Sequence, residues 1–238
     1  MSLGSLDVIR PGLQTIVVAA PRVGYRAIGV APGGALDARA FALANALAGN
    51  APGTPALEIA YGCFSARFAH PTCLALTGAN CDARFDGVHL VLEAPRDGVR
   101  TYLAVRGGFD IPLVLGSQTT DLRGNFGGWH GRALRAGDVL PIGDSLESEA
   151  MLEDATTALA SEVLVRAIDR GAPAEFWARP WRTSHESNRM GTRLLGEALQ
   201  GGGDVDSHAV FAGVVQLPSG GEPIVLLADA QTTGGYRA

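Results

Sequence analysis

Short apolar runs, separated by turns that mostly carry glycine, follow one another at even spacing through the first half of this chain. That rhythm leaves few folds open. The runs Ala56–Tyr61, Phe64–Phe68, Cys73–Thr77, His89–Glu93 and Arg100–Val105 are too short for stable helices, and Tyr61-Gly62, Asp86-Gly87 and Gly107-Gly108 punctuate them. Glycine supplies the positive φ that tight turns need, and the chain holds 32 glycines. Strands of this length and spacing predict a mainly β barrel or sandwich rather than a parallel α/β sheet.

A first strand is expected over Leu13–Ala19. One helix is expected over Leu36–Ala48, where Leu36, Ala40, Leu43, Ala44 and Leu47 share a face and Gly49 ends the pattern. The stretch Gly143–Ser161 carries Glu147, Glu149, Glu153 and Asp154 among alanines and serines, and reads either as a solvated helix or as a linker. It divides the chain into an N-terminal lobe over 1–142, an acidic linker over 143–161 and a C-terminal lobe over 162–238. In the second lobe Glu162–Ile168 reads as a strand, and Ala174–Ala178 and Arg193–Leu199 as short helices. Val210–Leu217 and Pro223–Ala228 read as a hairpin turning at Gly220-Gly221.

Several function classes are excluded by residue type. All 19 basic residues are arginine. Without lysine these residues offer no Schiff base, no phosphate-loop lysine and no biotinyl-lysine, so any biotin must arrive on a separate carrier. The arginines are scattered and the net charge is −5, which argues against a nucleic-acid partner. Cys63, Cys73 and Cys81 are odd in number and match no zinc spacing; reduced thiols and no metal site are expected. No signal-peptide pattern and no membrane-length apolar run are visible, so a cytoplasmic location without a membrane partner is expected. The five histidines are dispersed and no Gly-x-Ser-x-Gly turn is present, which speaks against a serine nucleophile.

Three segments concentrate polar and glycine residues. In the first, Val30–Asp37, Gly33 and Gly34 permit close backbone approach just ahead of a helix N-terminus able to hold an anion; Asp37 equally fits a helix-entry residue. The second, Val105–Asp110 with Leu115–Asp121, gathers Ser117, Gln118, Thr119, Thr120 and Asp121, a set that orients a small polar substrate or folds a surface loop by local turns. In the third, the apolar strand Leu226–Ala228 runs into Asp229, Gln231, Thr232, Thr233, Gly234, Gly235 and Tyr236. Polar residues beside a core are costly unless satisfied, which favours a functional strand end.

Read in order, the motifs resemble one family. They are Arg10–Thr15, Pro32–Asp37, Ala56-Leu57-Glu58-Ile59, Leu76-Thr77-Gly78-Ala79, Gly116-Ser117 with Thr120-Asp121-Leu122-Arg123, and Leu134–Asp138. Ser187-Asn188-Arg189-Met190-Gly191, Pro223–Leu227 and Gln231–Tyr236 complete the series. The chain is similar to the family of the 5-oxoprolinase C subunit, also called allophanate hydrolase subunit 2 or the biotin-dependent carboxyltransferase family. The resemblance implies a carboxyltransferase domain of the C-type over 1–238, with a cyclophilin-like β-barrel in two lobes. It implies work beside a B-type partner protein, and in 5-oxoprolinase an A-type one as well, to open 5-oxoproline to L-glutamate with ATP. Related proteins transfer a carboxyl group from carboxybiotin to urea, and others act as antagonists of a histidine-kinase inhibitor. The family pattern departs at Asn188, where aspartate is usual, and at Asp169–Pro173, where a Pro-Gly-Pro-Gln-like stretch is usual. It also continues past the final Gly-Gly-Tyr.

Under this resemblance the expected catalytic set is Asp37, Asp121, Asp229 and Arg189. The expected substrate-binding set is Gly33, Gly34, Ser117, Thr120, His130, Gln231, Thr232, Thr233, Gly234, Gly235 and Tyr236. The three segments are expected to converge on one cleft. Arg189, with Arg39 and Arg123 as further cations, suits an anionic ligand because a guanidinium fork binds two oxygens at once.

Overall fold

Alternation along the apolar strands decides the architecture of the first part of the chain. In β2 (Gln14–Val18) Val17 faces one core, while Ile16 and Val18 face another. The same split recurs in β3 (Ala56–Ala60), β5 (Cys73–Phe85) and β6 (His89–Val105). Leu57, Leu74, Leu76, Leu103 and Val105 enter the first core; Ala56, Ala75, Tyr102 and Ala104 enter the second. A strand buried on both faces has no polar side, which is why these runs read as continuous apolar segments. The helix α1 (Ala38–Leu47) covers the second face with Ala40, Phe41 and Ala44, above the small alanines 56, 75 and 104.

The computed structural model describes residues 4–143, 150–156, 160, 162–200 and 202–237. Glu147 and Glu149 of the acidic stretch lie outside them. The described chain forms two units: 1–22 with 33–161, and 23–32 with 162–238. In the first, β1 (Ser5–Pro11), β4 (Phe64–Phe68), β7 (Val139–Pro141) and β8 (Met151–Thr156) join β2, β3, β5 and β6. Together they form an eight-stranded sheet with the path β2-β3-β6-β4-β1-β7, while β5 bridges β6 and β8. The sheet curls into a half-barrel, so the fold is mainly β as expected. Burying one leucine such as Leu57 or Leu103 in such a core contributes about 1.5–3 kcal/mol.

Four sequence expectations are corrected here. The runs His89–Glu93 and Arg100–Val105 are one strand, β6, because the ladder to β5 continues across Pro95 and Gly98 through shifted registers at Asn80/Asp97 and Cys81/Pro95. The stretch read as helix or linker supplies β8, which runs parallel to β5 from Cys73↔Met151 to Gly78↔Thr156. In the second unit, Arg193–Leu199 is not a helix. Its first residues belong to β10 (Gly191–Leu195), which pairs with β13 (Ile224–Leu226) on one side and β9 (Arg182–Thr183) on the other. Glu162–Ile168 forms no regular strand, and Val163, Leu164, Val165 and Ile168 stand exposed.

The remaining elements of the second unit are α2 (Ala174–Ala178), β11 (Asp204–Ala209), β12 (Val215–Gln216) and β14 (Thr233–Tyr236). The strands of this unit form a four-stranded sheet, β12-β13-β10-β9, and a two-stranded one, β11-β14. The expected hairpin holds as β12 and β13, with Val215 opposite Val225 and Gln216 opposite Ile224.

Candidate functional site

In the first unit the polar loops are tied down residue by residue. The loop before α1 is held by a buried acid: Glu58 on β3 accepts the Leu36 N–H at 2.9 Å and the Tyr102 hydroxyl at 2.9 Å. Tyr102 in turn accepts the Asp37 N–H at 2.8 Å. Glu58 is 2% exposed, and Arg100 approaches it at 3.5 Å. Burial and the adjacent Glu58 carboxylate push the Tyr102 phenol well above its ordinary range, so it stays a neutral donor. Asp37 caps the helix, its Oδ1 accepting the N–H groups of Arg39 at 3.0 Å and Ala40 at 2.9 Å.

The second loop meets the first where the Gly34 N–H donates to Thr119 Oγ1 at 3.3 Å. Ser117 donates to the Ala20 carbonyl at 2.6 Å, and Thr120 to the Val17 carbonyl at 2.8 Å. Asp121 closes a turn by accepting the Arg123 and Gly124 N–H groups at 3.1 and 2.8 Å. Arg22, 1% exposed, braces this loop from inside by donating to the carbonyls of Val114 and Thr119 and stacking over Phe126. His130 is exposed, edge-on to Trp129, and Arg39 and Arg123 are exposed as well. The structure therefore brings Gly34, Ser117 and Thr120 into one loop cluster, with the Gly34 amide and the two hydroxyls engaged by the fold, while Gly33 precedes Gly34 at φ +64.

In the second unit Arg189 and Asp229 form a fork: Nε to Oδ2 at 2.7 Å and Nη2 to Oδ1 at 3.0 Å. Their side chains are 3% and 15% exposed, and the Asp229 N–H also donates to the Arg189 carbonyl at 3.0 Å. This double tie fixes the start of the loop that carries Gln231 to Tyr236 beside β10. Gln231 donates from Nε2 to Gln216 Oε1 at 3.1 Å. Thr232 is buried, and its carbonyl accepts the Val210 N–H at 3.1 Å. Gly234 and Tyr236 lie in β14, opposite His208 and Asp204.

Two cavities open in this unit. One of about 420 Å³ is lined by Arg26, Ala27, Gly29, Ala209, Thr232 and Thr233, and Arg26 there donates to the Val210 carbonyl. The other, of about 180 Å³, is lined in part by Asn188, Arg193, Gln216, Gln231 and Tyr236. The smaller one carries more recognition chemistry, with three carboxamides and a guanidinium in its walls. Gln216 and Arg26 carry no signal that singles them out in the sequence. Gln216 sits in an ordinary strand pattern, and only the approach of Gln231 reveals it. Among the described residues no group of three or more His, Cys, Asp and Glu side chains is placed to hold a metal ion. No described helix is long and apolar enough to cross a membrane.

Comparison with known proteins matches residues 28–238 to the family described as carboxyltransferase domain, subdomain A and B. The C subunit of 5-oxoprolinase from Escherichia coli (strain K12) is 43% identical over 97% of this chain and 82% of its own length. The urea amidolyase of Saccharomyces cerevisiae is 31% identical over 98% of this chain, but over only 15% of its own length. Among solved structures, TTHA0988 superposes with a TM-score of 0.83 at 32% identity over 100% of this chain. This chain spans about half of it, 51%. The chain belongs to the carboxyltransferase-domain family, in the group that holds the 5-oxoprolinase C subunit, also called allophanate hydrolase subunit 2.

Proposed function

We propose that this chain is the C-type component of an ATP-dependent 5-oxoprolinase. It works with a B-type and an A-type partner protein, and it is active only in that complex. The observation that carries this reading is the 43% identity to the 5-oxoprolinase C subunit along 97% of the chain. The reaction opens the lactam of 5-oxoproline to L-glutamate by adding water across the amide bond, while ATP is hydrolysed to ADP and phosphate.

The geometry supports a positioning part for this chain in that chemistry. Asp37 caps a helix, Asp121 closes a turn and Asp229 is locked to Arg189, so each carboxylate acts by holding a loop in place. A substrate cradle needs this rigidity, since small misplacements of a reacting group cost large factors in rate. ATP enters with the complex. The exposed apolar residues Val163, Leu164, Val165 and Ile168 support a chain that works against a partner surface.

A second reading is favoured by the fungal urea amidolyase match over 98% of this chain: carboxyl transfer to urea from carboxybiotin. That reading requires biotin on a separate carrier, because these residues contain no lysine. The two readings separate in one experiment on the chain co-purified with its B-type partner. 5-Oxoproline and ATP are expected to raise the melting temperature of the complex, urea is expected not to, and avidin is expected to leave the reconstituted activity intact. A shift with urea alone, or loss of activity with avidin, overturns the 5-oxoprolinase reading in favour of the carboxyltransferase.

A further inference from the structure

A buried carboxylate holds one loop from beneath. Glu58 on β3 stands directly opposite Tyr102 on β6, so both side chains leave the sheet on the face that α1 covers. Alanines 56, 75 and 104 make up much of that face. An acid that is 2% exposed in such a place is costly unless its oxygens are satisfied. Two donors meet on one of them: Oε2 accepts the Leu36 N–H at 2.9 Å and the Tyr102 hydroxyl at 2.9 Å, and that hydroxyl accepts the Asp37 N–H at 2.8 Å. Two successive loop amides are thus tied to a single carboxylate oxygen, one directly and one through a phenol. Arg100 Nε stands 3.5 Å from the other oxygen, Oε1, and its side chain reaches solvent.

The ties fall on chosen positions of the loop. The Gly34 N–H donates to Thr119 Oγ1, so the amides of residues 34, 36 and 37 are held, while those of Gly33 and Ala35 donate to no acceptor among the described residues. Gly33 and Gly34 stand at φ +64 and +92. Glycine has many other conformations open to it, so this shape persists only where neighbours fix it. We propose that Glu58 is a positioning residue: through Leu36 directly, and through Asp37 by way of Tyr102, it sets the backbone of the Gly33–Asp37 loop, and turnover depends on that setting. The loop needs from Glu58 an oxygen in a fixed place, not a charge. The part in turnover rests on the function proposed above; the anchor itself rests on the geometry of Glu58.

The test compares Glu58→Leu, Glu58→Gln and Tyr102→Phe in the complex reconstituted with its partner proteins. Glu58→Leu removes the acceptor and Tyr102→Phe removes the relay. Each is expected to lower kcat about tenfold or more while KM stays within about threefold, because a misplaced loop loses rate before it loses binding. Glu58→Gln can set its amide oxygen where Oε2 lies and turn its NH2 toward Arg100, which is free to swing into solvent. It is expected to restore kcat to within about threefold of the wild-type value. Leu103→Ala weakens the other face of the same sheet without touching the loop, and below its melting temperature it is expected to keep the wild-type kcat. Hydrogen exchange on the full chain supplies a readout apart from activity. The Leu36 and Asp37 amides are expected to exchange about tenfold faster or more in Glu58→Leu and Tyr102→Phe, with the β3–β6 ladder unchanged. Equal losses of kcat in Glu58→Gln and Glu58→Leu make the charge the active feature and overturn the proposal. So does a kcat that falls as far in Leu103→Ala, and so does wild-type exchange at Leu36 and Asp37 in the Leu and Phe variants. A wild-type complex without 5-oxoproline-dependent turnover overturns the function proposed above, and the exchange result then decides the anchor by itself.

Discussion

Arg189 and Asp229 show how one pair of residues holds a loop. Both bonds of their fork run through a nearly closed environment, so removing one partner breaks two charge-assisted bonds at once. Asp229→Asn is expected to cost about 3–5 kcal/mol, read as a fall in the denaturation midpoint. Arg189→Met with Asp229→Leu is expected to recover part of that loss, and a double-mutant cycle measures the coupling. Asp138 offers a test by pH. Arg132 donates to both of its oxygens at 2.7 Å and the Arg135 N–H donates as well, which holds its carboxyl at about 2. Its unfolded value is about 3.9, so the pair stabilises the fold fully above about pH 4 and loses that contribution as pH falls toward 2. Asp138→Asn is expected to flatten the acid limb of the stability curve in that window and leave its slope at higher pH unchanged. Individual polar residues are only half legible in the sequence. Motifs locate Arg189, Asp229 and Gln231. Distant partners, such as Gln216 for Gln231 or Glu58 for Leu36, depend on strand register that no local pattern encodes.

At the scale of elements, legibility follows burial. The helix α1 is readable from its helical spacing and its ends, Asp37 at the entry and Gly49 at the exit with φ +74, but its buried face is shifted: Leu43, expected inside, is 45% exposed and Phe41 is buried with Ala40 and Ala44. Asp37→Ala is expected to cost about 1 kcal/mol in a denaturant titration, the usual loss when a helix cap is removed. Strands β3 and β4, the start of β5 and the two ends of β6 are readable because apolar, buried residues mark them, whereas the exposed middle of β6 across Pro95 and Gly98 is not. Leu103→Ala, which opens a hole in the inner core, is expected to cost about 2–5 kcal/mol. The failures lie where pairing overrules propensity. Arg193-Leu194-Leu195 sits in a helix-forming sequence, yet β13 and β9 flank it and fix it as a strand. Met151–Thr156 carries two acids and reads as solvated, but Leu152 packs on the core while the backbone ladders to β5. Glu162–Ile168 is the opposite case: strand-forming residues without a strand to pair with.

For the molecule as a whole, the family assignment rests on agreement between independent lines. The motif order read from the sequence, the match over residues 28–238 and the 43% identity to the 5-oxoprolinase C subunit all lead to the same carboxyltransferase-domain family. Within it, the C subunit of 5-oxoprolinase is more similar to this chain than the long urea amidolyase, 43% against 31% identical. The locked carboxylates fit the positioning part that the proposed function gives this chain. The most direct test is ATP hydrolysis by this chain reconstituted with its B-type and A-type partners, with glutamate release followed in parallel. Hydrolysis that depends on added 5-oxoproline, yields glutamate in step with ADP and disappears when this chain is omitted is the predicted result. ATP turnover and glutamate release that proceed equally well without this chain would contradict it.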